Sequence, residues 1–366
     1  MRLLAGMVEF LDARLGIREL IRANLTGYLV PRQINVWYAL GSVLLTLFAV
    51  QVVSGMLLLI YYVPHAAMAY DSVHRIMNEV PFGWLFRYLH VVGSNVIVII
   101  LLLHMLSVLF MGSYKKPREL NWLSGFILLN LTFGLCLTGY LLPWSQLSFW
   151  ATTVATDVAG AVPFVGEALV SMLRGGTMVS EATLGRFFVL HVVALPLLLA
   201  LLVGFHLFCV RRVGISTPPF ASGSQGAPAG NPLSPAAAAG DIPFFPNVIT
   251  KDLAVNAFVF AVFMALTFFV PHLFIPPAAF APADPFVTPP GIKPEWYFLW
   301  AYQTMKIFPN EFLGLAAQGA AMTFIALLPF IDRGPERRPA KRPLFVTCFV
   351  IGLLLFAAIS LWGHHS

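Results

Sequence analysis

Residues 87–112, RYLHVVGSNVIVIILLLHMLSVLFMG, and residues 186–210, RFFVLHVVALPLLLALLVGFHLFCV, each carry two histidines in an otherwise apolar run. At about 1.5 Å per residue, either run is long enough to cross a hydrocarbon core of about 30 Å. His90 and His104 are 14 residues apart, and His191 and His206 are 15 apart. At about 100° per residue both separations return to roughly the same helix face after about four turns, so each helix offers one histidine toward each leaflet. A lone histidine in an apolar helix is more often a hydrogen-bonded core residue than a ligand. Four in two matched pairs point the other way, because an imidazole in hydrocarbon is costly and marks a functional site. The remaining histidines, His65, His74, His272, His364 and His365, lie at span ends or outside them. Set side by side, the two helices predict two bis-imidazole sites stacked across the membrane, the donor set of two b-type haems.

Composition fixes the class. With 59% hydrophobic and 10% charged residues and a mean hydropathy of +0.82, the chain is a polytopic membrane protein. Seven charge-poor spans are expected, at roughly 36–62, 88–112, 121–142, 187–210, 254–273, 312–331 and 344–362. The expected fold is all-α and transmembrane: a four-helix bundle followed by three further transmembrane helices. The pI of 9.3 is not a nucleic-acid signal, because the basic residues are sorted by side. Sixteen of the 22 Lys and Arg fall before the first span and at 115–118, 211–251 and 333–342; the alternate loops hold only Arg75, Arg87, Arg174, Arg186, Lys293 and Lys306. This asymmetry predicts a cytoplasmic N-terminus and an outer C-terminus in a bacterial-type inner membrane. Residues 1–30 are charged throughout, so no cleavable signal peptide is expected. Met7–Arg22 has instead the pattern of an amphipathic helix on the inner surface. Cys136, Cys209 and Cys348 are isolated, with no CxxC or CxxCH, which excludes a disulfide framework and a c-type attachment of that form.

Glycines repeat the histidine interval. Gly41 and Gly55 in the first span, and Gly125 and Gly139 in the third, are each 14 residues apart. A glycine facing each histidine level lets a flat macrocycle approach the backbone where a side chain would collide. Spans one to four then form a bundle with two haems in its core. Arg87, Arg118 and Arg186 lie near the haem edges, where each can pair a propionate or serve as an interfacial anchor.

These residues, with Gly139-Tyr140-Leu141-Leu142-Pro143-Trp144 closing the third span and Pro294-Glu295-Trp296-Tyr297 further on, resemble cytochrome b of the quinol-oxidising cytochrome bc complexes. The resemblance runs from about Asn35 to the last span. The 15-residue histidine spacing with Pro196 inside it, the KKPREL loop and the seven-span count resemble the cytochrome bf form in particular. In that form the halves on either side of the linker are separate chains. Here residues 1–216 look like the di-haem half and 247–366 like the subunit-IV half, fused through the Pro/Ala/Gly-rich stretch 217–246. One departure stands out. Where the bf form has a cysteine that holds an extra haem covalently, this chain has Ala39, so no covalently attached third haem is expected.

The resemblance implies a quinol:cytochrome c oxidoreductase subunit that oxidises quinol at an outer site, reduces quinone at an inner one and translocates protons. It implies two non-covalent b-type haems, the outer held by His90 and His191 and the inner by His104 and His206. It also implies a Rieske iron–sulfur partner, a cytochrome c-type subunit, a homodimeric complex and a lipid and quinone environment, with no nucleic acid. Glu295 is the candidate proton acceptor of the outer pocket, because a carboxylate at membrane depth is costly and can be tuned toward useful basicity. Pro294, Trp296 and Tyr297 would shape that pocket and Tyr302 would position quinol. The outer segment Leu147–Gly176 would form short helices over the pocket, where Ala151 replaces the glycine of respiratory relatives and predicts weak binding of methoxyacrylate inhibitors. Lys251 and Asp252, with Arg211, would serve the inner quinone site. Two other readings fit part of the pattern. A di-haem anchor of a dehydrogenase or hydrogenase would lack the Pro-Glu-Trp-Tyr pocket. A proton-relaying transporter would have no use for glycines in register with the histidines.

Overall fold

Hydrocarbon leaves a backbone N–H or C=O no partner outside its own segment, so each apolar run closes its hydrogen bonds as a helix. The computed structural model describes residues 2–220 and 241–366. The chain opens with α1 (Arg2–Leu15) and α2 (Ile17–Ile21). The single amphipathic helix expected over Met7–Arg22 is thus broken, because Gly16 adopts the left-handed conformation at φ 60°. Strand β1 (Leu29–Val30) pairs antiparallel with β2 (Ile242–Pro243), Val30 opposite Ile242. The linker expected at 217–246 lies outside the described residues over 221–240, and β2 ties its far end to the N-terminal segment.

The helices α3 (Leu40–Leu59), α4 (Ala69–Asn78), α5 (Gly83–Phe110) and α6 (Glu119–Leu141) follow. Between the third and fourth spans lie α7 (Gln146–Asp157) and α8 (Gly166–Arg174), the short outer helices expected there. The fourth span is α9 (Glu181–Val189), a π-helical turn at Leu190–Ala194, and α10 (Leu195–Val213). The turn accounts for the unequal histidine spacing. A single π turn adds one residue to an α-helix, and Pro196, with no N–H to give, stands just beyond it. The 15-residue interval thereby spans the same levels as the 14-residue intervals of the neighbouring helices.

The remaining helices are α11 (Ile249–Phe269), α12 (Leu299–Ile307), α13 (Glu311–Ala326), α14 (Leu328–Ile331) and α15 (Pro343–His365). Among the described residues, six helices are long and apolar enough to cross a membrane. The seventh expected span is shorter: α13 has 16 residues and breaks at Leu327 before α14 resumes. Pro329 cannot bond the carbonyl of Ile325 four residues back, and that carbonyl accepts instead from Trp122 Nε1 at 2.9 Å.

Helix α3 packs on α5 and α6 on α10. The boundary between the two halves of the chain is not a boundary in packing. Phe263 of α11 is fully buried in one core with Leu40, Val43 and Leu47 of α3 and Val92, Val96 and Ile100 of α5. Thr46 donates to Asn256 Oδ1 across the same seam at 2.7 Å.

A second seam joins the loops after α5 and α14. Lys115 Nζ donates to Asp332 Oδ1 at 2.7 Å, Tyr114 and Arg342 donate to Asp332 Oδ2, and Arg342 also donates to the Tyr114 hydroxyl at 2.8 Å. Burial pushes the Asp332 carboxyl up, but the bonds from Lys115 and Tyr114, with the Arg342 charge, bring it below its ordinary value. A lowered carboxyl adds stability that is present above its unfolded value, near about 3.9, and lost as pH falls through its folded value. Asp332→Asn is therefore expected to destabilise the purified protein by about 3 kcal/mol at neutral pH, the cost of leaving buried cations unpaired. Thermal unfolding at pH 7 and at acid pH checks this, since the gap between variant and wild type should close in acid.

Candidate functional site

The four helices α3, α5, α6 and α10 enclose two cavities, one above the other. One, called outer for the side on which the charge pattern is expected to place it, has about 350 Å³ and is lined by His90, His191, Gly55 and Gly139. The inner, of about 410 Å³, is lined by His104, His206, Gly41 and Gly125. Each glycine faces one histidine. A Cβ on Gly41 would stand 3.8 Å from His104 Cε1, on Gly55 3.1 Å from His90 Cε1, and on Gly125 3.3 Å from His206 Cε1; on Gly139 it would collide with the His191 ring, 2.8 Å from Nδ1. In the outer cavity the His90 and His191 rings lie 6.1 Å apart between centroids and 82° apart in plane.

The residue before three of these glycines fixes the proton on the facing ring. Ser54 Oγ lies 3.0 Å from His90 Nδ1, Ser124 Oγ 2.8 Å from His206 Nδ1 and Thr138 Oγ1 3.5 Å from His191 Nδ1. Each hydroxyl gives its own proton to a helix carbonyl, Ser54 to Val50 at 2.7 Å, Ser124 to Asn121 at 3.0 Å and Thr138 to Gly134 at 2.8 Å. Toward the ring the hydroxyl can therefore only accept, so Nδ1 carries the hydrogen and the Nε2 lone pair is free. His191 Nδ1 also donates to the Leu135 carbonyl at 3.0 Å. These hydroxyls were missed in reading the sequence, although Ser-Gly and Thr-Gly at 54–55, 124–125 and 138–139 carried the signal.

A haem fits this donor set. Two imidazoles bound through nitrogen at about 2.0 Å on opposite sides of one metal have centroids about 6 Å apart, as the outer pair does, and the glycines leave room that a Cβ would fill.

Of the three arginines expected beside the haems, two line the cavities. Arg87 is buried at the outer cavity, with its guanidinium 5.9 Å from the Phe280 ring centroid. Arg118 is buried at the inner cavity, where burial and the Arg337 charge both disfavour its cation. Its Nε has no partner among the described residues. Arg186 departs from expectation: it donates to the Ser171 and Met172 carbonyls near the C-terminus of α8 and lines neither cavity. Carbonyls exposed at a helix end compete well for a guanidinium.

The outer cavity extends to the Pro-Glu-Trp-Tyr loop. Glu295 and Tyr297 line it together with Asn95, Cys136 and Tyr140. The Tyr140 hydroxyl bonds the Glu295 carboxylate; burial pushes that carboxyl up, and this bond holds it back in part. Trp296 Nε1 donates to Asn95 Oδ1 at 2.8 Å, which pins the loop to α5 five residues beyond His90. Tyr297 is buried, bonded to Cys136 and stacked over Phe133 at 6.2 Å. Pro294 begins the loop without lining the cavity. Tyr302 is also outside the lining, on α12, with Lys306 Nζ 4.2 Å from its ring centroid. Leu147 and Ser148 of α7 reach the cavity, and Ala151 is buried one turn further on.

At the inner cavity the expected quinone residues separate. Asp252 lines it, bonded to Ser42. Lys251 is exposed, since adjacent residues on a helix point about 100° apart. Arg211 donates to the Ala23 carbonyl at 2.6 Å and lies 3.7 Å over the Tyr28 ring, drawn to the N-terminal segment instead.

Comparison with known proteins gives a consistent picture. A family model described as cytochrome b/b6/petB matches residues 25–214, and one described as cytochrome b(C-terminal)/b6/petD matches 282–366. Cytochrome b of Allochromatium vinosum is 37% identical over 97% of this chain and 87% of its own length. Cytochrome b/c1 of Bradyrhizobium diazoefficiens is 34% identical over 95% of this chain and half of that longer protein. A chain of a solved hyperthermophilic respiratory Complex III superposes with a TM-score of 0.90, at 37% identity over 98% of this chain and 91% of that one.

The glycine geometry makes a graded prediction. Gly139→Ala should displace His191 and abolish the outer haem absorbance, whereas Gly41→Ala, whose methyl group meets only ordinary contact, should keep the inner one. Reduced-minus-oxidised spectra of the two variants distinguish these outcomes.

Proposed function

Because the chain belongs to the cytochrome b family, the core membrane subunit of quinol:cytochrome c oxidoreductase, we propose that it oxidises quinol in the outer cavity, reduces quinone beside the inner one and so moves protons outward. The observation that carries this reading is Glu295 in one cavity with the facing histidines His90 and His191. His90 and His191 would hold the outer of two non-covalent b-type haems, and His104 and His206 the inner, with Arg87 and Arg118 beside the propionates. When bound, the haems supply one-electron carriers that connect the two sides of the membrane.

The chain's own residues do the proton work. Glu295 accepts a proton from a quinol hydroxyl entering the outer cavity, and its raised pKa brings it closer to the pH at which a base both receives and releases protons. The Tyr140 hydroxyl keeps the carboxylate oriented. Asn95 holds Trp296, and through it the loop, in register with α5. At the inner cavity Asp252 supplies protons to reduced quinone; Lys251 and Arg211 have no part in this version of the site.

The Complex III likeness supports a Rieske iron–sulfur protein and a cytochrome c-type subunit as partners in a homodimeric complex. The sorted basic residues support an inner-membrane location with the N-terminus cytoplasmic and the C-terminus outside.

Glu295 is neutral below its raised pKa and a base above it, so quinol:cytochrome c activity should rise with pH through that value. Glu295→Gln should lower the rate by about 10²–10⁴-fold and remove that limb of the profile; an unchanged profile would exclude Glu295 as the acceptor. Acid–acetone extraction should remove all haem from the chain, and a haem-stained band at its mass would overturn non-covalent binding.

A further inference from the structure

Three of the four cavity histidines rest on the same pair of acceptors. One is the hydroxyl of the residue before the facing glycine. The other is the carbonyl four residues before that glycine: Gln51 for His90, Asn121 for His206 and Leu135 for His191. His104 has neither. The residue before Gly41 is Leu40, which has no hydroxyl. The carbonyl four residues back belongs to Trp37, inside the 3-10 turn Val36–Ala39 that precedes α3, where the α-helical placement of that carbonyl is lost. His104 Nδ1 is buried with no acceptor among the described residues.

An imidazole that donates Nδ1–H to an acceptor becomes a more basic ligand, and a more basic ligand favours the higher charge on the metal. The two sites therefore differ in kind. Both outer ligands are supported, whereas the inner site pairs a supported His206 with an unsupported His104.

We propose that Leu40 and the 3-10 turn before it, by denying His104 both acceptors, make the inner pair the weaker donor and shift the inner haem toward its ferrous state. Leu40 is then a tuning residue. It touches neither cavity in the lining of either site and acts only through the histidine. This rests on the reading that His104 and His206 hold the inner haem. The redox change is a one-electron reduction of ferric to ferrous iron, with the electron supplied by quinol in turnover or by dithionite in a titration.

The test compares Leu40→Thr with its isostere Leu40→Val in the purified complex, so that loss of core volume is matched and only the hydroxyl differs. Optical redox titration of the two b-type α bands is the readout. Relative to Leu40→Val, Leu40→Thr should lower the inner midpoint by the equivalent of about tenfold in the ferric-to-ferrous ratio, about 59 mV for one electron, and leave the outer midpoint in place. Equal inner midpoints in the two variants would overturn the inference while both haems remain bound. Should both Leu40 variants lose the inner haem, Ser124→Ala decides: removing the His206 acceptor should raise the inner midpoint, and no rise overturns the inference. A wild-type complex without an inner haem would overturn the reading beneath it, and the inference with it.

Discussion

An imidazole placed in hydrocarbon needs both a partner for its N–H and room for whatever its free nitrogen binds. In this protein the two needs are met by one dipeptide on the facing helix. A hydroxyl residue takes the Nδ1 proton and the glycine beside it leaves open space, at Ser54-Gly55, Ser124-Gly125 and Thr138-Gly139. The arrangement constrains everything around it. Helices α3 and α5, and α6 and α10, must pack at levels that bring histidine and glycine together, and the fourth span must take up an extra residue in a π turn to stay in register.

The connection between α11 and α12 completes the outer cavity, and the C-terminal half is tied to the first half at several places. Phe263 enters the α3–α5 core, Trp122 caps the carbonyl that Pro329 leaves free, and Asp332 gathers Tyr114, Lys115 and Arg342 at the inner loops. With α11 so held, and with Trp296 bonded to Asn95, Glu295 is presented to the same space as His90 and His191. Stability and function share these contacts: a carboxylate that is costly to bury is kept at the site because the surrounding packing fixes its loop.

The two cavities look alike in outline and differ in polar support. The difference arises where α3 begins. An α-helix offers its carbonyls at fixed positions only after its first turn has formed, and Gly41 stands at the edge of that turn, behind Leu40. The helix start therefore sets the environment of His104.

Much of this was legible without coordinates, because it depends on periodicity along single helices. Fourteen-residue intervals, apolar runs and sorted charges determine which residues share a face, which segments span and which histidines and glycines stand at one level. The long, flexible side chains were not legible in this way. Arg186 went to the end of α8, Arg211 to Tyr28 and Ala23, and Tyr302 away from the cavity, since each could reach several acceptors and only the folded neighbours choose among them. The Trp296–Asn95 bond joins residues 201 positions apart. Short-range pattern fixes the face a residue occupies, whereas a hydrogen bond between distant helices exists only once packing has set the distance between them, and that was decided by the tertiary structure alone.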